Sequence, residues 1–369
     1  MNDRGMDYRS AGVDDVGEES GLKGLAERVR RTFSFAGGPG EPGAVCLDLG
    51  HYANVVEIAP NLGLAISTDG VGTKLLVAEM LEVYDTVGID CIAMNVNDIL
   101  CVGARPLTMV DYIAVERADD RILTAIADGL CRGAEQAGIS IAGGELAQVA
   151  EMIRGVRPGS GFDIVGTAVG LVPLDRIIVG DNLADGDVVL GLASSGIHSN
   201  GLTLARKALF EKGGYSPDQH LDALGRSVGE ELLEPTRIYV RPVLALLEAE
   251  AAVKALIHIT GDGFLNLLRV ESDVGFEITD LPEPPAIFEL IREAGRVDEG
   301  EMLRVFNMGV GFAAVVAEEA ADSAVATLRA AGAPDAQIIG RVTGAESGSV
   351  RIPDRGLLGR RKEGFVRAD

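Results

Sequence analysis

Four carboxylates stand where apolar segments in the first half of the chain end or are interrupted. They are Asp69, Asp98, Asp111 and Glu145. A polar side chain inside an apolar element costs free energy unless a hydrogen-bond donor or a metal ion satisfies it. Mg²⁺ beside a nucleotide takes one or two carboxylates together with phosphate oxygens and water. The pattern predicts a divalent-metal site formed by these oxygens, with internal hydrogen bonds as the alternative.

A glycine-bearing loop follows the first of these carboxylates. Residues 67–74 spell Ser-Thr-Asp-Gly-Val-Gly-Thr-Lys, between a predicted strand and a predicted helix. Glycines let the backbone approach a ligand closely, and a helix N-terminus attracts anions. The spacing is not that of a Walker A loop. We predict an anion site in which a divalent cation separates Asp69 from phosphate. The alternative is a tight turn with an exposed Lys74.

A second polar loop lies in the other half of the chain. Residues 194–201 spell Ser-Ser-Gly-Ile-His-Ser-Asn-Gly, again between a predicted strand and a predicted helix. Hydroxyl, amide and backbone N–H groups suit a phosphate or a polar substrate. His198 can donate to a phosphoryl oxygen or move a proton near neutral pH. A helix cap made by Ser or Asn, with a surface histidine, is the alternative.

Composition limits the function classes. The chain has 369 residues, of which 47% are hydrophobic and 24% charged, so a globular protein of two domains is expected. A net charge of −23 repels nucleic acid and anionic membranes over most of the surface. We find no apolar run long enough to span a membrane and no apolar leader. Four dispersed cysteines fit a reducing cytoplasm.

Periodicity and turn signals predict the elements that position these loops. The predicted strands are 64–68, 107–115, 139–142, 164–172, 188–193, 255–259, 310–316 and 338–342. The predicted helices are 22–33, 75–81, 89–102, 121–137, 202–210, 238–249, 264–269, 287–294, 299–305 and 320–331. Strands and helices alternate in both halves, which indicates an α/β or α+β class.

The same signals divide the chain into five parts. We predict a loose arm (1–20), an N-terminal domain (21–172), a connector (173–187), a C-terminal domain (188–345) and a charged, frayed tail (346–369). The boundary rests on turn formers between 173 and 187.

Taken in order, the glycine loops resemble the phosphoribosylformylglycinamidine cyclo-ligase family, also known as PurM or aminoimidazole ribonucleotide synthetase. The resemblance covers roughly 8–342. It is carried by the segments 8–14, 69–74, 97–98, 143–145, 195–201, 235–240, 258–261 and 306–311. A single loop of this kind is weak, but the ordered set is specific.

The resemblance implies a fold and a reaction. The fold is the two-domain PurM-like α/β fold, in which the N-terminal domain contributes strands to a dimeric β-barrel. The reaction uses ATP and Mg²⁺ to close the ring of formylglycinamidine ribonucleotide. ATP phosphorylates the formamide oxygen, the amidine nitrogen attacks the same carbon, and phosphate leaves. Such chemistry depends on positioning and charge stabilisation.

The resemblance also implies site residues. The metal ligands would be Asp69, Asp98, Asp111 and Glu145. The nucleotide-binding residues would be Asp69, Gly70, Gly72, Thr73, Lys74, Asn97, Gly143 and Gly144, with Lys74 as a charge clamp on phosphate. The substrate-binding residues would be Ser195, Gly196, His198, Ser199, Asn200, Thr260 and Gly261. The catalytic residues would be His198, Lys74 and Asn200.

Three departures from the family pattern indicate a divergent, archaeal-like branch. Asp262 replaces the middle of three glycines, and the segment behind it is shortened to end at Arg269. Residues 46–51 replace a glycine-rich stretch, and 146–148 replace Thr-Ala-Glu. Since Asp tolerates a left-handed backbone better than most residues, we expect the turn at Asp262 to survive.

Two alternatives stay open. One is another ATP-dependent member of the superfamily, such as a thiamine-monophosphate kinase, although residues 195–201 fit it poorly. The other is a non-catalytic paralogue that binds a nucleotide and regulates a partner, although it would not need both Asp69 and Lys74. Selenophosphate synthetase would need a cysteine in an N-terminal glycine loop. The hydrogenase maturation factor HypE would need a C-terminal cysteine, and formylglycinamidine synthetase is normally longer.

Overall fold

A computed structural model of the protein describes residues 5–13, 15–249 and 251–368. In the first half, these residues form one sheet and the helices beside it. The strands are β1 (Asn54–Ala59), β2 (Leu62–Gly70), β3 (Arg105–Val115), β4 (Ser140–Gln148) and β5 (Phe162–Val172). The helices are α1 (Asp15–Val29), α2 (Phe33–Ala36), α3 (Lys74–Leu81), α4 (Val87–Cys101) and α5 (Asp120–Ala137).

The first sheet has the strand order β1-β2-β5-β3-β4. Only the β3–β4 pair among these is parallel. The helix α4 lies close against β5, because a Cβ atom at Gly166 would come 2.6 Å from Asn95 Nδ2 and one at Gly170 would come 2.6 Å from Ile99 Cγ2. Glycine is therefore required at both positions, and it brings the polar residues of α4 to the sheet.

The opposite face of this sheet leaves large apolar side chains exposed. Ile66, Val110 and Tyr112 are 36%, 44% and 44% exposed. The strand register places Val110 and Tyr112 next to Thr167 and Val165 of β5, on the face opposite Gly166. The sheet is thus packed on one side and bare and apolar on the other.

The second half is built around a larger sheet. Its strands are β6 (Val188–Ala193), β7 (His220–Leu221), β8 (Arg226–Ser227), β9 (Val253–His258), β10 (Gly275–Ile278), β11 (Val310–Val316), β12 (Gln337–Thr343), β13 (Val350–Ile352), β14 (Leu357–Arg360) and β15 (Gly364–Arg367). The order is β15-β14-β13-β10-β12-β6-β11-β9, and β7 pairs with β8 separately. Every residue of β11 is buried, as expected for a strand covered on both faces.

Helices cover this second sheet and connect its strands. They are α6 (Leu202–Arg206), α7 (Val228–Leu232), α8 (Val240–Glu248), α9 (Ala286–Gly295), α10 (Glu299–Val305) and α11 (Ala321–Ala330). A π-helical turn at Lys207–Lys212 continues α6, and a 3₁₀ segment runs over Gly263–Leu268. The predicted strands 188–193 and 310–316 and the predicted helix 299–305 have the observed bounds.

The prediction that the charged tail is frayed is wrong. Strands β13 to β15 extend the second sheet from β10, and the apolar side chains of Val350, Ile352 and Leu357 are buried there. The neighbouring charges conceal a short period-two pattern, which is why the sequence did not indicate strands. The strands β1, β7, β8 and β10 and the helix α7 were also missed.

The predicted loose arm is also ordered over its described part. The backbone N–H of Met6 donates to Gly295 O (3.0 Å), and the N–H of Tyr8 donates to Glu301 Oε1 (2.7 Å). Ala11 is buried, and α1 begins at Asp15 rather than at Leu22. Residues 1–4 and 14 of this prediction lie outside the described residues.

Two further properties concern the whole described chain. No helix in these three ranges combines the length and the apolar character that crossing a bilayer requires. Cys91 and Cys101 are buried free thiols, and Cys46 and Cys131 are exposed free thiols.

Candidate active site

The two polar loops predicted from the sequence face each other across a cleft. Residues Gly70–Thr73 form one wall, and Ser199–Thr203 form the other. Tyr8 of the N-terminal arm, Asp69 at the end of β2 and Met94 of α4 complete the lining of a space of about 250 Å³. The hydroxyls of Thr73 and Thr203 lie 2.9 Å apart and join the walls. The cleft therefore lies between the two halves of the chain.

The wall from the first half ends at the N-terminus of α3, which starts at Lys74. Gly72 has φ +73°, a left-handed conformation that glycine adopts without strain. The first N–H groups of a helix have no intrahelical acceptor, and they favour an anionic ligand. This arrangement is what a phosphate-binding loop requires.

Asp69 lies at the edge of the cleft beside a second carboxylate. Its Oδ1 accepts a hydrogen bond from the N–H of Gly70 (2.7 Å). Burial, and then the nearby Asp98 carboxylate, raise the pKa of Asp69 to about 6. Because the two carboxylates repel each other, a divalent cation between them would lower the electrostatic free energy.

Asp98 is held by a histidine from the second half. Its Oδ1 lies 2.8 Å from Nδ1 of His258, which is 1% exposed. Asn97 Nδ2 lies 3.5 Å from Nε2 of the same ring. The ring therefore donates a hydrogen bond from Nδ1 to Asp98, and its Nε2 atom faces the N–H donor of Asn97. His258 fixes the orientation of the carboxylate.

The other two predicted metal ligands lie further away. Asp69 and Asp111 both flank Gly166, in β2 and β3, so their side chains share the α4 face at roughly 10 Å, two strand spacings. A Cβ at Gly144 would touch the Asp111 carboxylate, so the next residue, Glu145, points to the opposite face. Burial raises the pKa of Asp111. The expected convergence of four carboxylates is corrected to one close pair.

Asp69 and Asp98 fit Mg²⁺ as part of a shared site rather than as a protein cage. Within the described residues, no three His, Cys, Asp or Glu side chains come together as a metal site. Mg²⁺ usually takes one or two carboxylates and completes its shell with phosphate oxygens and water. The donor set present therefore matches a metal that arrives with a nucleotide.

Lys74 is located differently from the expected phosphate clamp. Its side chain is 0% exposed, and Nζ donates to Asp90 Oδ1 (2.9 Å) and to the carbonyl oxygen of Glu234 (2.5 Å). Its ammonium group thus has two acceptors inside the protein. The structure supports a positioning role for Lys74, because a buried cation with two acceptors is not free to follow a phosphate.

The Lys74 partner, Asp90, ties the two halves together. Its Oδ1 also accepts from Ser199 Oγ (3.2 Å), Thr236 N (2.8 Å) and Thr236 Oγ1 (2.6 Å). In the described part of the chain its Oδ2 is buried and has no hydrogen-bond partner. We refer to Lys74, Asp90, Ser199 and Thr236 as the Asp90 cluster. It fixes the position of the loop at Ser199.

His198 is buried behind the cleft rather than exposed in it. Its backbone is left-handed (φ +68°), and its Nε2 accepts N–H groups of Ser195 (3.2 Å) and Arg237 (3.4 Å). Burial and then nearby His258, Lys74 and Arg237 lower the pKa of His198 well below its usual value. A neutral, buried ring that accepts two backbone donors supports the loop, and the expected proton transfer to substrate lacks geometric support.

The remaining residues of this loop divide between support and cleft. Ser195 Oγ donates to the carbonyl oxygen of Pro235 (2.5 Å), and Asn307 Nδ2 donates to the carbonyl oxygen of Gly196 (2.9 Å). Asn200 lines the cleft, and a Cβ at Gly261 would lie 3.3 Å from its Oδ1. Ser199, which also belongs to the cleft wall, Asn200 and Gly261 are therefore the expected substrate residues that remain close to the cleft.

The turn at Asp262 is made without strain on that residue. Asp262 has φ −94°, whereas Gly263 takes the left-handed value of +53°. The N–H of Gly263 donates to Thr260 O (2.9 Å), which closes the turn. The turn survives as expected, but the tolerance of Asp for a left-handed backbone is not what preserves it.

Three other predicted nucleotide-binding residues lie outside the cleft lining. Asn97 Nδ2 donates to Arg237 O (2.9 Å), and Asn97 Oδ1 accepts from Tyr239 N (3.0 Å). Its side chain thus fastens the segment before α8. Gly143 and Gly144 are in β4 at the sheet edge.

Sequence reasoning missed two residues of this region. Asp90 lies in the same apolar helix as Asp98, so the argument that selected Asp98 applied to it equally. His258 ends an apolar strand, and within the segment 258–261 only Thr260 and Gly261 were assigned a role. Ser199 and Thr236, which contact Asp90, and Asp98, which contacts His258, lie more than 100 residues away in sequence, and only the fold brings them near.

Comparison with known proteins matches both halves of the chain. Residues 50–172 match the family described as AIR synthase related protein, N-terminal domain. Residues 184–353 match AIR synthase related protein, C-terminal domain. A protein of Methanothermobacter thermautotrophicus named phosphoribosylformylglycinamidine cyclo-ligase is 50% identical over 87% of this chain and 90% of its own length. One of Pyrococcus furiosus with the same name is 48% identical over 88% and 91%.

Solved structures show the same fold at low identity. Thiamine monophosphate kinase from Aquifex aeolicus superposes with a TM-score of 0.59 and 18% identity, over 89% of this chain and 96% of that one. Hydrogenase maturation protein HypE in complex with ATP gives 0.55 and 20%, over 83% and 84%. The predicted two-domain α/β fold is confirmed.

Proposed function

Because the chain belongs to the phosphoribosylformylglycinamidine cyclo-ligases, within the AIR synthase related proteins, we propose that it closes the imidazole ring of aminoimidazole ribonucleotide. The substrate is formylglycinamidine ribonucleotide, and the other products are ADP and phosphate. The observation that carries this proposal is the identity of 45–50% to cyclo-ligases of three archaea over about nine-tenths of the chain.

The proposed chemistry requires an activated formamide oxygen. ATP supplies the phosphoryl group that turns this oxygen into a leaving group, and Mg²⁺ offsets the phosphate charge. The amidine nitrogen then bonds to the formamide carbon while the carbon–oxygen bond breaks and phosphate leaves. The protein has to hold two anionic ligands in one orientation and exclude water.

The cleft residues divide this work between the two walls. The backbone of Gly70–Thr73, at the start of α3, holds phosphate oxygens of the nucleotide. Asp69 and Asp98 ligate Mg²⁺, and His258 orients Asp98. Asn200 and the backbone at Gly261 face the other ligand from the second half. Each wall thus binds one ligand.

The predicted catalytic residues take revised roles in this proposal. Lys74 and His198 are buried and position the two walls, since neither presents its side chain to the cleft. Asn200 remains the candidate for contact with the reacting group. Positioning residues are as necessary as contact residues, because ring closure depends on the alignment of two reacting centres.

We propose a homodimer formed through the bare face of the first sheet. Ile66, Val110 and Tyr112 present apolar area there that a second copy of the same face would cover. The family resemblance implies that such a face closes into a barrel. Light scattering of the purified protein should give twice the mass of one chain.

A turnover assay tests the function directly. Purified protein is incubated with Mg-ATP and formylglycinamidine ribonucleotide. Aminoimidazole ribonucleotide is followed by diazo coupling and ADP by a coupled enzyme, and we expect equal amounts. ADP without the imidazole would mean a different acceptor, and thiamine monophosphate would be tried next. Binding of ATP without either product would favour a regulatory paralogue.

A further inference from the structure

The described start of the chain packs against the second half of the protein, although the first half follows it in sequence. The N–H of Met6 donates to the carbonyl oxygen of Gly295 (3.0 Å), and the Met6 side chain is buried. A Cβ atom at Gly5 would overlap the carbonyl oxygen of Arg296, so only glycine allows the two backbones to lie so close. We refer to residues 5–13 as the strap.

The middle of the strap is a compact turn with hydrogen bonds of its own. Asp7 Oδ1 accepts the N–H of Ser10 (2.6 Å), and Ser10 Oγ accepts the N–H of Asp7 (3.0 Å). The N–H of Val13 donates to the carbonyl oxygen of Tyr8 (3.1 Å), and Ala11 is buried. Because these bonds lie within the turn, it can move as a unit without losing its shape.

Tyr8 of this turn forms a third wall of the cleft. It lines the same space as the loops 70–73 and 199–203. Its N–H donates to Glu301 Oε1 (2.7 Å), and Arg304 donates to both carboxylate oxygens of Glu301 (2.8 Å each). An ion pair of α10 therefore holds Tyr8 at the cleft through a backbone hydrogen bond.

The cleft with Tyr8 in it is small for the proposed reaction. Its space of about 250 Å³ is below the roughly 300–1,000 Å³ that one small-molecule site usually takes. The reaction brings a nucleotide and a ribonucleotide together. Either part of each ligand lies outside this space or one wall moves when they bind.

The strap is more weakly attached than the other two walls. The loop 70–73 runs directly from β2 into α3, and the Asp90 cluster fixes the loop at Ser199. The exposed residues of the strap are Gly5, Asp7, Arg9, Ser10 and Gly12. A segment with few buried apolar side chains and exposed backbone hydrogen bonds opens at a lower free energy than packed helices and strands.

We propose that Tyr8 shields the reacting carbon from water, on a strap that opens to admit the ligands and closes over them. The proposal rests on the proposed function for the identity of the reaction. It gives a role to the segment 8–14, which carries part of the family resemblance and was assigned no part in binding or catalysis.

Water is the competitor that a closed strap excludes. After ATP phosphorylates the formamide oxygen, attack of the amidine nitrogen on the formamide carbon closes the ring and releases phosphate. Attack of water on the same carbon releases phosphate and restores the formamide. ATP and water then become ADP and phosphate, and no imidazole forms. A side chain that closes the cleft suppresses this hydrolysis.

The first test measures the coupling of the two products in Tyr8→Ala. ADP and aminoimidazole ribonucleotide are measured in the same reaction. Because removal of the ring admits water, the ratio of ADP to the imidazole should rise from about one to about two or more. Phe35→Ala is the control, since Phe35 is an exposed aromatic residue outside the cleft lining, and its ratio should stay at about one.

The second test measures the movement of the strap in the wild type. Arg9 is exposed, so trypsin can cut after it when the strap opens. Mass spectrometry follows the loss of residues 1–9, and Arg9→Gln identifies the product of this cut. Formylglycinamidine ribonucleotide together with Mg²⁺ and a non-hydrolysable ATP analogue should slow the cut by about 10-fold or more, because bound ligands favour the closed strap.

The outcomes separate the strap from the function itself. Slower cutting with the ATP analogue, in a protein that forms no imidazole, would keep the strap and reject the cyclo-ligase. Equal amounts of ADP and imidazole in Tyr8→Ala would keep the function and overturn the water shield. Cutting at the same rate with and without ligands would overturn the movement. The trypsin test leaves Tyr8 unchanged, so it decides the question even if Tyr8→Ala does not fold.

Discussion

The Asp90 cluster and the pair Asp69–Asp98 are two charged regions at the seam between the halves, and they are built in opposite ways. In the cluster, Lys74 neutralises Asp90 inside the protein, where both side chains are 0% exposed. In the pair, two carboxylates lie near each other, and burial with this repulsion raises the pKa of Asp69 to about 6. The paired charges of Lys74 and Asp90 stabilise the fold, and the unpaired carboxylates of Asp69 and Asp98 favour binding of a cation.

The largest effect should come from breaking the compensated region. Lys74→Met leaves Asp90 buried without its cation, so the free energy of unfolding should fall by about 3–5 kcal/mol. Urea denaturation measures it. Lys74→Met combined with Asp90→Asn should recover most of the loss, because no buried charge then remains unpaired.

A matched control separates this burial effect from charge removal in general. Arg341→Met removes an exposed ion pair with Glu318, whose side chains are 52% and 67% exposed, and should cost less than about 1 kcal/mol. If Lys74→Met instead leaves stability intact and raises KM for ATP, Lys74 is the phosphate clamp that the sequence pattern suggested.

Removing a charge from the pair Asp69–Asp98 should raise the free energy of unfolding, whereas removing Lys74 should lower it. The pKa of Asp69 is raised from 3.8 to about 6, so the folded state binds the proton more tightly than the unfolded state, and stability falls as pH rises through that interval. At pH 7.5, Asp69→Asn should therefore raise the unfolding free energy of the ligand-free protein by up to about 3 kcal/mol. The same variant should lose Mg²⁺-dependent turnover by roughly 100-fold or more.

Opposite signs for stability and activity are the signature of a ligand site. Asp163→Asn, on the same sheet but in β5 and facing away from α4, is the control and should change neither quantity much. If turnover of the Asp69→Asn variant depends on Mg²⁺ as in the wild type, Asp69 and Asp98 are not the metal ligands.

The sequence predicted the elements around the cleft better than the partners inside it. The strands 188–193 and 310–316 are continuous apolar runs bounded by glycine and polar turns. Such runs can be predicted from the local sequence without tertiary information. The loops that follow a strand, at 69–74 and 194–201, were therefore placed correctly. Asp90 and His258 were missed because Ser199 and Thr236, which contact Asp90, and Asp98, which contacts His258, come from the other half of the chain.

The wrong roles have the same origin. The loop pattern could not show that Lys74 turns inward, because Asp90 and Glu234, which accept its hydrogen bonds, are 16 and 160 residues away. Because neighbouring strand residues point to opposite faces, Glu145 and Gly144 lie on different faces of the sheet. Only the register of Gly144 with Asp111 shows which face Glu145 is on. Local pattern fixes where a loop lies, and the fold decides which way its side chains point.

His198 gives an intermediate effect that shows as a pH dependence. Burial keeps its pKa well below the usual 6.5 in the folded state, so below pH 6.5 only the unfolded chain gains this proton, and stability falls with falling pH. His198→Asn suits the left-handed backbone and removes this contribution. Between pH 7 and pH 5 the variant should lose about 2 kcal/mol less than the wild type in urea denaturation.

The pH profile of turnover provides the contrary test for this residue. A buried neutral ring adds no ionisation between pH 6 and 8, so kcat/KM of the wild type and the variant should have parallel profiles there. An ionisation near pH 7 that disappears in His198→Asn would restore His198 as the proton-transfer group.

The smallest effect on turnover is expected from replacing Glu145. This variant tests whether the metal site extends beyond Asp69 and Asp98. Its side chain lies on the bare apolar face, in register with Tyr112, on the opposite side of the sheet from Asp69 and Asp111. Glu145→Gln should therefore leave the Mg²⁺ concentration for half-maximal turnover within about two-fold, since no charge is removed near the metal. A clear rise would mean that the carboxylate reaches a metal from this face, which only a second copy could bring to it. Light scattering of the variant alongside the wild type then decides whether the dimer or the metal ligand is the cause.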